Sequence, residues 1–136
     1  MPRMSAENVE RVKRFLAAYN DRDYETLRAM YHPSGEWHGR ATQMDGPRVL
    51  HGPDALVERT RHRDADFDEF RTELQELIDG DERIVAVFEV IATGRQSGAS
   101  VRFKDASVWT FSNGLISRVE ICATRDEALQ LAGLAE

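Results

Sequence analysis

Two carboxylates, Asp105 and Glu89, lie in apolar stretches typical of strands and have the clearest potential for chemistry in this sequence. When two acids face one apolar interior, like charge and desolvation raise the pKa of at least one of them. Such a pair can divide the work of a general acid and a general base. We predict that Asp105 and Glu89 share a face and are catalytic. The other members of the Glu89 face would be Val85, Val87 and Ile91.

Arginines and aromatic residues could complete such a pocket. Arg59 and Arg63 lie one turn apart in a predicted helix and could bind a carboxylate or an enolate. They could equally pair with the two acids and only hold the fold together, and the sequence leaves both interpretations open. The predicted ligand-binding residues are Arg59 and Arg63 together with Tyr19, Tyr31, Trp37, Ser107 and Trp109.

The remaining reactive residues do not form a familiar metal-binding or nucleophilic pattern. The four histidines, His32, His38, His51 and His62, lack the spacings typical of metal ligands. The single cysteine, Cys122, allows no intrachain disulfide. Ser107 has no evident His–Asp partner set. We therefore predict no metal and no cofactor.

Length and charge narrow the class of protein. The chain has 136 residues, which predicts one domain over 1–136. Its net charge of −6 disfavours binding to nucleic acid. No apolar run approaches the ~20 residues needed to cross a membrane, and the N-terminus lacks a signal-peptide core. We expect a cytoplasmic protein with no nucleic-acid or membrane partner.

Hydrophobic periodicity predicts helices in the first half and strands in the second. Apolar residues at helical spacing indicate a helix from Ser5, its cap, to Asn20. A second helix would be capped by Asp23 and ended by Pro33, and a third would run from Gly52 to about Asp66. Strands are predicted over 70–78, 84–93, 101–111 and 115–123. A last helix would open at Thr124 and close at Gly133. This order predicts an α+β fold with an antiparallel meander.

The turn near Asn113 decides which residues of the last two strands share a face. Asn113-Gly114 is typical of a two-residue hairpin loop, which would place Arg118 and Glu120 beside Asp105. A three-residue loop that includes Ser112 shifts every side chain of the last strand to the other face. We favour the three-residue loop, because it avoids gathering three charges in one interior. Val119, Ile121 and Ala123 would then face the interior with Phe103, Asp105, Ser107 and Trp109.

The strand over 84–93 is apolar on both of its faces. The face opposite the predicted pocket carries Ile84, Ala86, Phe88 and Val90. A row of this kind is too apolar to be left in water, so we predict that it forms the interface of a homodimer.

Several short motifs, taken in order, resemble a known family. They are Tyr31-His32-Pro33 before Glu36-Trp37, then the runs HGPDA (51–55), DGDERIV (79–85), TGRQSG (93–98), FSNGLI (111–116) and RDEAL (125–129). The chain resembles the SnoaL-like branch of the nuclear-transport-factor-2-like superfamily, which includes polyketide cyclases and ketosteroid isomerases. The resemblance implies a curved sheet wrapped around N-terminal helices, a conical pocket, usually a dimer, and a three-residue loop at Asn113.

The resemblance does not supply a ready catalytic set. Ketosteroid isomerases have a tyrosine where this chain has Phe15, their general base where it has Gly39, and a protonated aspartate where it has Ser107. Limonene-epoxide-hydrolase-like members have an aspartate where it has Ile121. Of the matching isomerase positions, only Tyr31 keeps a pocket tyrosine. Because this fold hosts many functions, function must be argued from the site.

Two functions fit these features. The first is a cofactor-independent acid–base enzyme acting on a small, mostly apolar carbonyl or polyketide-like compound, by isomerisation, cyclisation, dehydration or epoxide opening. The second is a non-catalytic dimeric module that binds a small hydrophobic molecule. Two acids on the pocket face favour the first, and the missing family catalytic sets favour the second.

Overall fold

The structure is a computed structural model that describes residues 3–40 and 48–134. In chain order the elements are α1 (Arg3–Asn20), α2 (Tyr24–Met30), β1 (Tyr31–His38), β2 (Val49–His51), α3 (Gly52–Ala65), β3 (Phe67–Gly80), β4 (Arg83–Gly94), β5 (Ser100–Ser112), β6 (Leu115–Cys122) and α4 (Arg125–Ala132). Most of the loop predicted over 39–47 lies outside the described residues. The predicted α+β class is confirmed.

The six strands form one curved sheet that does not close, in the order β2-β1-β6-β5-β4-β3. Neighbouring strands are antiparallel, except that β1 pairs with β6 in parallel. The meander β3–β6 was predicted. The short strand β2 and the parallel pairing of β1 were not, because three-residue strands and pairings between distant segments leave little signal in a single sequence.

Local chemistry explains three helix ends. Asp23 begins α2, since its carboxylate accepts hydrogen bonds from the backbone N–H of Thr26 (3.2 Å) and from the Thr26 hydroxyl (2.6 Å). Thr124 begins α4 by accepting from the N–H of Glu127 (3.1 Å), and Gly133 ends it at a φ of +77°, where glycine is favoured. These three predicted boundaries are confirmed.

Two predicted helix ends are wrong by a few residues. Helix α1 begins at Arg3, so Ser5 lies inside the helix and is not its cap. Helix α2 ends at Met30, and Pro33 is already part of β1. Pro33 fits the strand because it lies in the irregular stretch between Tyr31 and Glu36, where the pairing of β1 with β6 shifts register.

The hairpin between β5 and β6 has a two-residue loop, so the predicted three-residue loop is wrong. Asn113 and Gly114 both have positive φ angles (52° and 79°), as the favoured two-residue hairpin turn requires. A bulge follows directly, because the register shifts between Thr110 and Phe111 and skips Ser117. The extra residue restores the side-chain alternation. Trp109 therefore faces Val119, and the predicted faces of β5 and β6 are confirmed despite the wrong loop.

Each side of the sheet carries its own apolar cluster. The side covered by α1, α2 and α3, here called the inner side, contributes Ile84, Ala86, Trp109, Ile116 and Val119 to the larger cluster. The side covered by α4, here called the outer side, contributes Val85, Ala106, Val108 and Cys122 to a smaller one with Ala128. Because both sides are buried over much of the sheet, apolar residues appear on both faces of β4.

The predicted dimer interface is wrong in its location. Ile84, Ala86, Phe88 and Val90 are 0–6% exposed within a single chain, and Ile84 and Ala86 belong to the inner cluster beneath α1. All four residues are buried within a single chain, so this row offers no surface to a second copy.

Among the described residues, no helix has the length and apolarity that crossing a membrane would require.

Candidate functional site

The candidate site lies on the inner side of β4, β5 and β6, where the register aligns side chains in rows across the strands. The rows are Ile84, Trp109 and Val119, then Ala86, Ser107 and Ile121, then Phe88 and Asp105. The first row belongs to the core cluster under α1. The third row brings the Asp105 carboxylate directly opposite Phe88, at the level where β6 ends.

Five aromatic side chains, here called the aromatic layer, fill the space between α1 and the sheet. Phe15 is at the centre, with ring centroids 6.0 Å from Tyr19, 6.2 Å from Tyr31, 6.1 Å from Trp37 and 5.2 Å from Trp109. Phe15, Tyr31 and Trp109 are buried, whereas Tyr19 and Trp37 are half-buried. A bound molecule would therefore meet this layer at the edge that Tyr19 and Trp37 form.

Three predicted ligand-binding residues are instead satisfied within the core. The indole Nε1–H of Trp109 donates to the Ser107 hydroxyl (2.8 Å), and both residues are at most 1% exposed. The Tyr31 hydroxyl donates to the backbone carbonyl of Glu36. Burial raises the pKa of Tyr31, so its hydroxyl stays protonated. The geometry gives Tyr31, Ser107 and Trp109 a packing role.

Asp105 is a buried acid that faces a cation. Its side chain is 4% exposed, and the guanidinium of Arg40 donates to its Oδ1 at 2.7 Å. Arg40 follows the end of β1, two strands away from Asp105, and is 30% exposed. A hydrogen bond between a guanidinium and a carboxyl group at this distance is short and strongly directional. The expected partners Arg59 and Arg63 do not make this contact.

The predicted pairing of Glu89 with Asp105 on one face is wrong. Glu89 lies opposite Lys104, so its side chain is on the outer side, while Phe88 is the residue opposite Asp105. Glu89 pairs with Arg102 (3.0 Å), and this hydrogen bonding holds the pKa of Glu89 below its ordinary value. Val85 and Val87 are likewise on the outer side. The two-carboxylate mechanism therefore loses its geometric basis.

Arg63 joins the inner side of the sheet to α3. Its guanidinium donates to the Tyr19 hydroxyl and to Asp64 Oδ1 (2.7 Å), and it lies over the ring of Phe70 at 3.7 Å. Arg59, one turn earlier in α3, is half-buried and makes no hydrogen bond or ion pair with the part of the chain that the structure describes. Of the two arginines, only Arg63 contacts the aromatic layer.

Two residues of this site, Arg40 and Asp64, were not predicted from the sequence. Asp64 continues the buried stripe of α3 that Leu56, Val57 and Thr60 define, and an acid on a buried helix face must find partners. That spacing is a signal that could have identified it. Arg40 lies in a segment that the sequence predicts to be a loop. No pattern in a single sequence predicts its contact with Asp105.

The outer side has a surface pocket of about 430 Å³ beside the start of α4. It is lined by Gln75, Glu76, Val87, Lys104, Asp105, Ala123 and Arg125. Arg125 donates two hydrogen bonds to Glu76 (2.9 and 3.1 Å), and these bonds lower the pKa of Glu76. Arg125 and Glu76 therefore neutralise each other, and the pocket also borders Asp105, whose strand position assigns it to the inner side.

Cys122, buried on the outer side, is expected to react slowly. Burial, with the negative charges of Glu127 and Glu120, raises the pKa of this thiol from 9.0 to about 11. Two pKa units lower the thiolate fraction at pH 8 by about 100-fold. We expect iodoacetamide to label the folded protein at least that much more slowly than the same protein in denaturant. Labelling at equal rates would contradict the burial of Cys122.

Within residues 3–40 and 48–134, no group of three or more His, Cys, Asp or Glu side chains is arranged to hold a metal ion.

Solved structures share this architecture. An NTF2-like protein of unknown function from Burkholderia pseudomallei is 26% identical, with a TM-score of 0.77, and the match covers 93% of this chain and 97% of that one. TerC, co-crystallised with polyporic acid, is 21% identical (TM-score 0.76; 93% and 98% covered). A hypothetical protein of ketosteroid isomerase-like fold from Catenulispora acidiphila, in complex with trimethylamine, is 12% identical (TM-score 0.75; 92% and 93% covered).

These matches define the class of the fold as NTF2-like. A family model described as the SnoaL-like domain matches residues 12–119, and the chain belongs to this family. A search of curated proteins gives no match.

Proposed function

We propose that this protein is a cofactor-independent acid–base enzyme that acts on a small, mostly apolar carbonyl or polyketide-like compound, with Asp105 as its general base. The observation that carries the proposal is a carboxylate only 4% exposed on the inner side of the sheet, opposite Phe88 and held by Arg40 at 2.7 Å. The SnoaL-like family includes cofactor-independent cyclases and isomerases, which agrees with this reaction class.

The proposed chemistry needs a base that is charged yet shielded from water. Arg40 pairs with the Asp105 carboxyl group, and the burial of all but 4% of that side chain limits its hydration. The carboxylate takes a proton from a carbon next to the substrate carbonyl, and the C–H electron pair moves onto the carbonyl oxygen as an enolate. The proton then returns to the substrate at a second position, so that no external reagent is consumed.

The non-catalytic alternative rests on a specific feature of the interior. Phe15, Tyr31 and Trp109 pack the space under α1 completely enough to be at most 3% exposed. A module of this kind would bind a small hydrophobic molecule, without changing it, at the half-buried Tyr19–Trp37 edge or in the pocket beside Asp105.

Deuterium exchange tests the proposal without knowledge of the natural substrate. The protein is mixed in D₂O with a panel of planar 1,3-dicarbonyl and β,γ-unsaturated carbonyl compounds, and NMR follows loss of the acidic C–H signal. We expect exchange or isomerisation of at least one compound to exceed the rate with an equal concentration of acetate by about 10²–10⁴-fold. Compounds that bind, as seen by chemical-shift changes, but never exchange faster would support the non-catalytic module instead.

We also propose that the protein forms a homodimer, as members of this fold usually do by the resemblance noted above. The exposed part of the outer side carries charged side chains such as Arg71 and Arg102, so a partner copy would meet polar groups there. Such an interface would be more polar than the one that the sequence suggests.

A further inference from the structure

Lys104 is an unusual residue in this chain, which contains two lysines and 16 arginines. The other lysine, Lys13, lies in α1 and pairs with Glu10 at 3.3 Å. Lys104 lies in β5 and is exposed, and among the residues that the structure describes it forms no hydrogen bond or ion pair. The ammonium group of Lys104 is therefore a charge that the fold does not use.

Glu89, the residue opposite Lys104 in β4, does not take up this charge. Both of its carboxylate oxygens accept hydrogen bonds from Arg102, at 3.0 and 3.4 Å. These bonds are the main reason why the pKa of Glu89 is lowered, and the charge of Lys104 adds a smaller effect. Because Arg102 occupies both oxygens of Glu89, Lys104 is left to interact with water or with a bound molecule.

Lys104 lines a pocket at the end of β6. Strand β6 pairs with β5 only as far as Cys122, which lies opposite Ala106, so that β5 extends beyond it towards Ser100. Beside this end of β6 lies the pocket of about 430 Å³ on the outer side, here called the outer pocket, which includes Lys104 and Ala123 in its lining. Its volume is within the range of about 300–1,000 Å³ that is typical of sites for small molecules.

The acids of the outer pocket are already paired. Glu76 accepts two hydrogen bonds from Arg125, at 2.9 and 3.1 Å. Asp105 accepts one from Arg40 at 2.7 Å. Each acid therefore has an arginine that balances its charge. The ammonium group of Lys104 adds a positive charge that neither acid neutralises, so the outer pocket favours an anion over a cation.

The rest of the lining suits an organic molecule. Val87 and Ala123 contribute apolar side chains, and Gln75 contributes an amide that can donate or accept a hydrogen bond. Lysine binds a carboxylate as a point charge with three hydrogen-bond donors, which places few demands on geometry. A molecule that carries one carboxylate and a short hydrocarbon part matches both the charge and the apolar part of this lining.

We propose that the outer pocket is a binding site for a small organic monocarboxylate, with Lys104 as the residue that anchors the carboxylate. The apolar part of the ligand lies against Val87 and Ala123. This inference goes beyond the proposed function, because binding here needs no reaction and no proton transfer by Asp105. Since Lys104 is exposed, solvent screens the ion pair in part, and we expect the pair to tighten binding by about 5- to 10-fold.

Benzoate serves as the probe, and benzamide and acetate are its analogues for comparison. Benzamide keeps the ring without the charge, and acetate keeps the charge without the ring. Titrations of the folded protein at pH 8 and low salt are followed by two-dimensional NMR of the backbone amides. We expect benzoate to shift the signals of Lys104, Ala123 and Arg125, and to bind about fivefold or more tightly than either analogue.

The two lysines provide a matched pair of variants. Lys104→Gln removes the proposed anchor, so it is expected to weaken benzoate binding by about 5- to 10-fold and to change benzamide binding less than twofold. Lys104→Arg keeps the charge and should retain most of the affinity. Lys13→Gln removes the charge of the other lysine, which lies in α1, and should leave benzoate binding unchanged.

A further variant fills the outer pocket itself. Ala123→Leu places a larger apolar side chain at a half-buried position of the lining, so it should weaken the binding of benzoate and of benzamide alike. Thermal melts establish that each variant is folded.

Several results would overturn this inference. Benzoate does not bind to the wild type, or acetate binds as tightly as benzoate does. The shifted signals lie away from the outer pocket, or Ala123→Leu binds benzoate as the wild type does. Lys104→Gln keeps the wild-type affinity, or Lys13→Gln loses as much affinity as Lys104→Gln.

Discussion

Asp105→Asn is expected to lower the rate of deuterium exchange to that of the uncatalysed reaction, a loss of about 10²–10⁴-fold. Asparagine keeps the size of the side chain and can still accept a hydrogen bond from Arg40, but its amide is not a base at neutral pH. The rate is measured by NMR with the compound that the wild type exchanges fastest, well below the melting temperature of both proteins.

Glu89→Gln is the matched control for this variant. Like Asp105, Glu89 is an acidic residue in a strand and pairs with an arginine, at 3.0 Å compared with 2.7 Å for Asp105. Its side chain, however, lies on the outer side of the sheet. We expect Glu89→Gln to keep at least half of the wild-type rate. If both variants lose the rate equally, the effect comes from the sheet as a whole and not from the position of Asp105.

The same substitution at Asp105 has a structural cost that must be separated from catalysis. Removing one partner of a fully buried ion pair costs about 3–5 kcal/mol. Here Arg40 is 30% exposed and can be rehydrated, so we expect a smaller loss in the free energy of unfolding, about 1–3 kcal/mol. Chemical denaturation gives this number. A variant that unfolds more easily but exchanges protons at the wild-type rate would make Asp105 a structural ion-pair partner and favour the non-catalytic module.

The wrong prediction for Glu89 shows that a single sequence does not determine the register between two strands. Six residues, Gly94–Ala99, separate the paired residues Thr93 and Ser100, and this pairing puts Phe88 opposite Asp105. A connection one residue longer or shorter would have put Glu89 on the Asp105 face. Hydrophobicity could not decide between the registers, because α4 buries the outer side of β4 while α1 buries the inner side.

The helices and the strands of the meander were predictable, because the sequence patterns that indicate them are local. The caps Asp23 and Thr124 and the glycine Gly133 act on their own neighbours, so the sequence contains the whole cause. The site is different, since Arg40 reaches Asp105 across 65 positions of the chain. Its contact depends on the parallel pairing of β1 with β6, which no short pattern predicts.

Trp109→Ala is expected to reduce the free energy of unfolding by about 3–5 kcal/mol. Trp109 is 1% exposed, its ring packs edge-on against Phe15 (5.2 Å) and Trp37 (6.2 Å), and its indole N–H is bonded to Ser107. Domains of this size are stabilised by only about 5–15 kcal/mol in total. We therefore expect the melting temperature to fall by roughly 10–20 °C, as measured by circular dichroism.

Trp109→Phe separates packing from the polar contact. Phenylalanine keeps most of the aromatic contact with Phe15 but removes the donor to Ser107, whose hydroxyl can still donate to the carbonyl of Ala86. We expect a loss of about 1–2 kcal/mol, because the retained ring fills most of the volume. If Trp109 were a ligand contact, as the sequence suggests, both variants would instead keep most of their stability and lose the deuterium-exchange activity. A stability loss that follows the volume removed, with the exchange rate kept by Trp109→Phe, would assign Trp109 to the core that packs against Phe15 and Trp37.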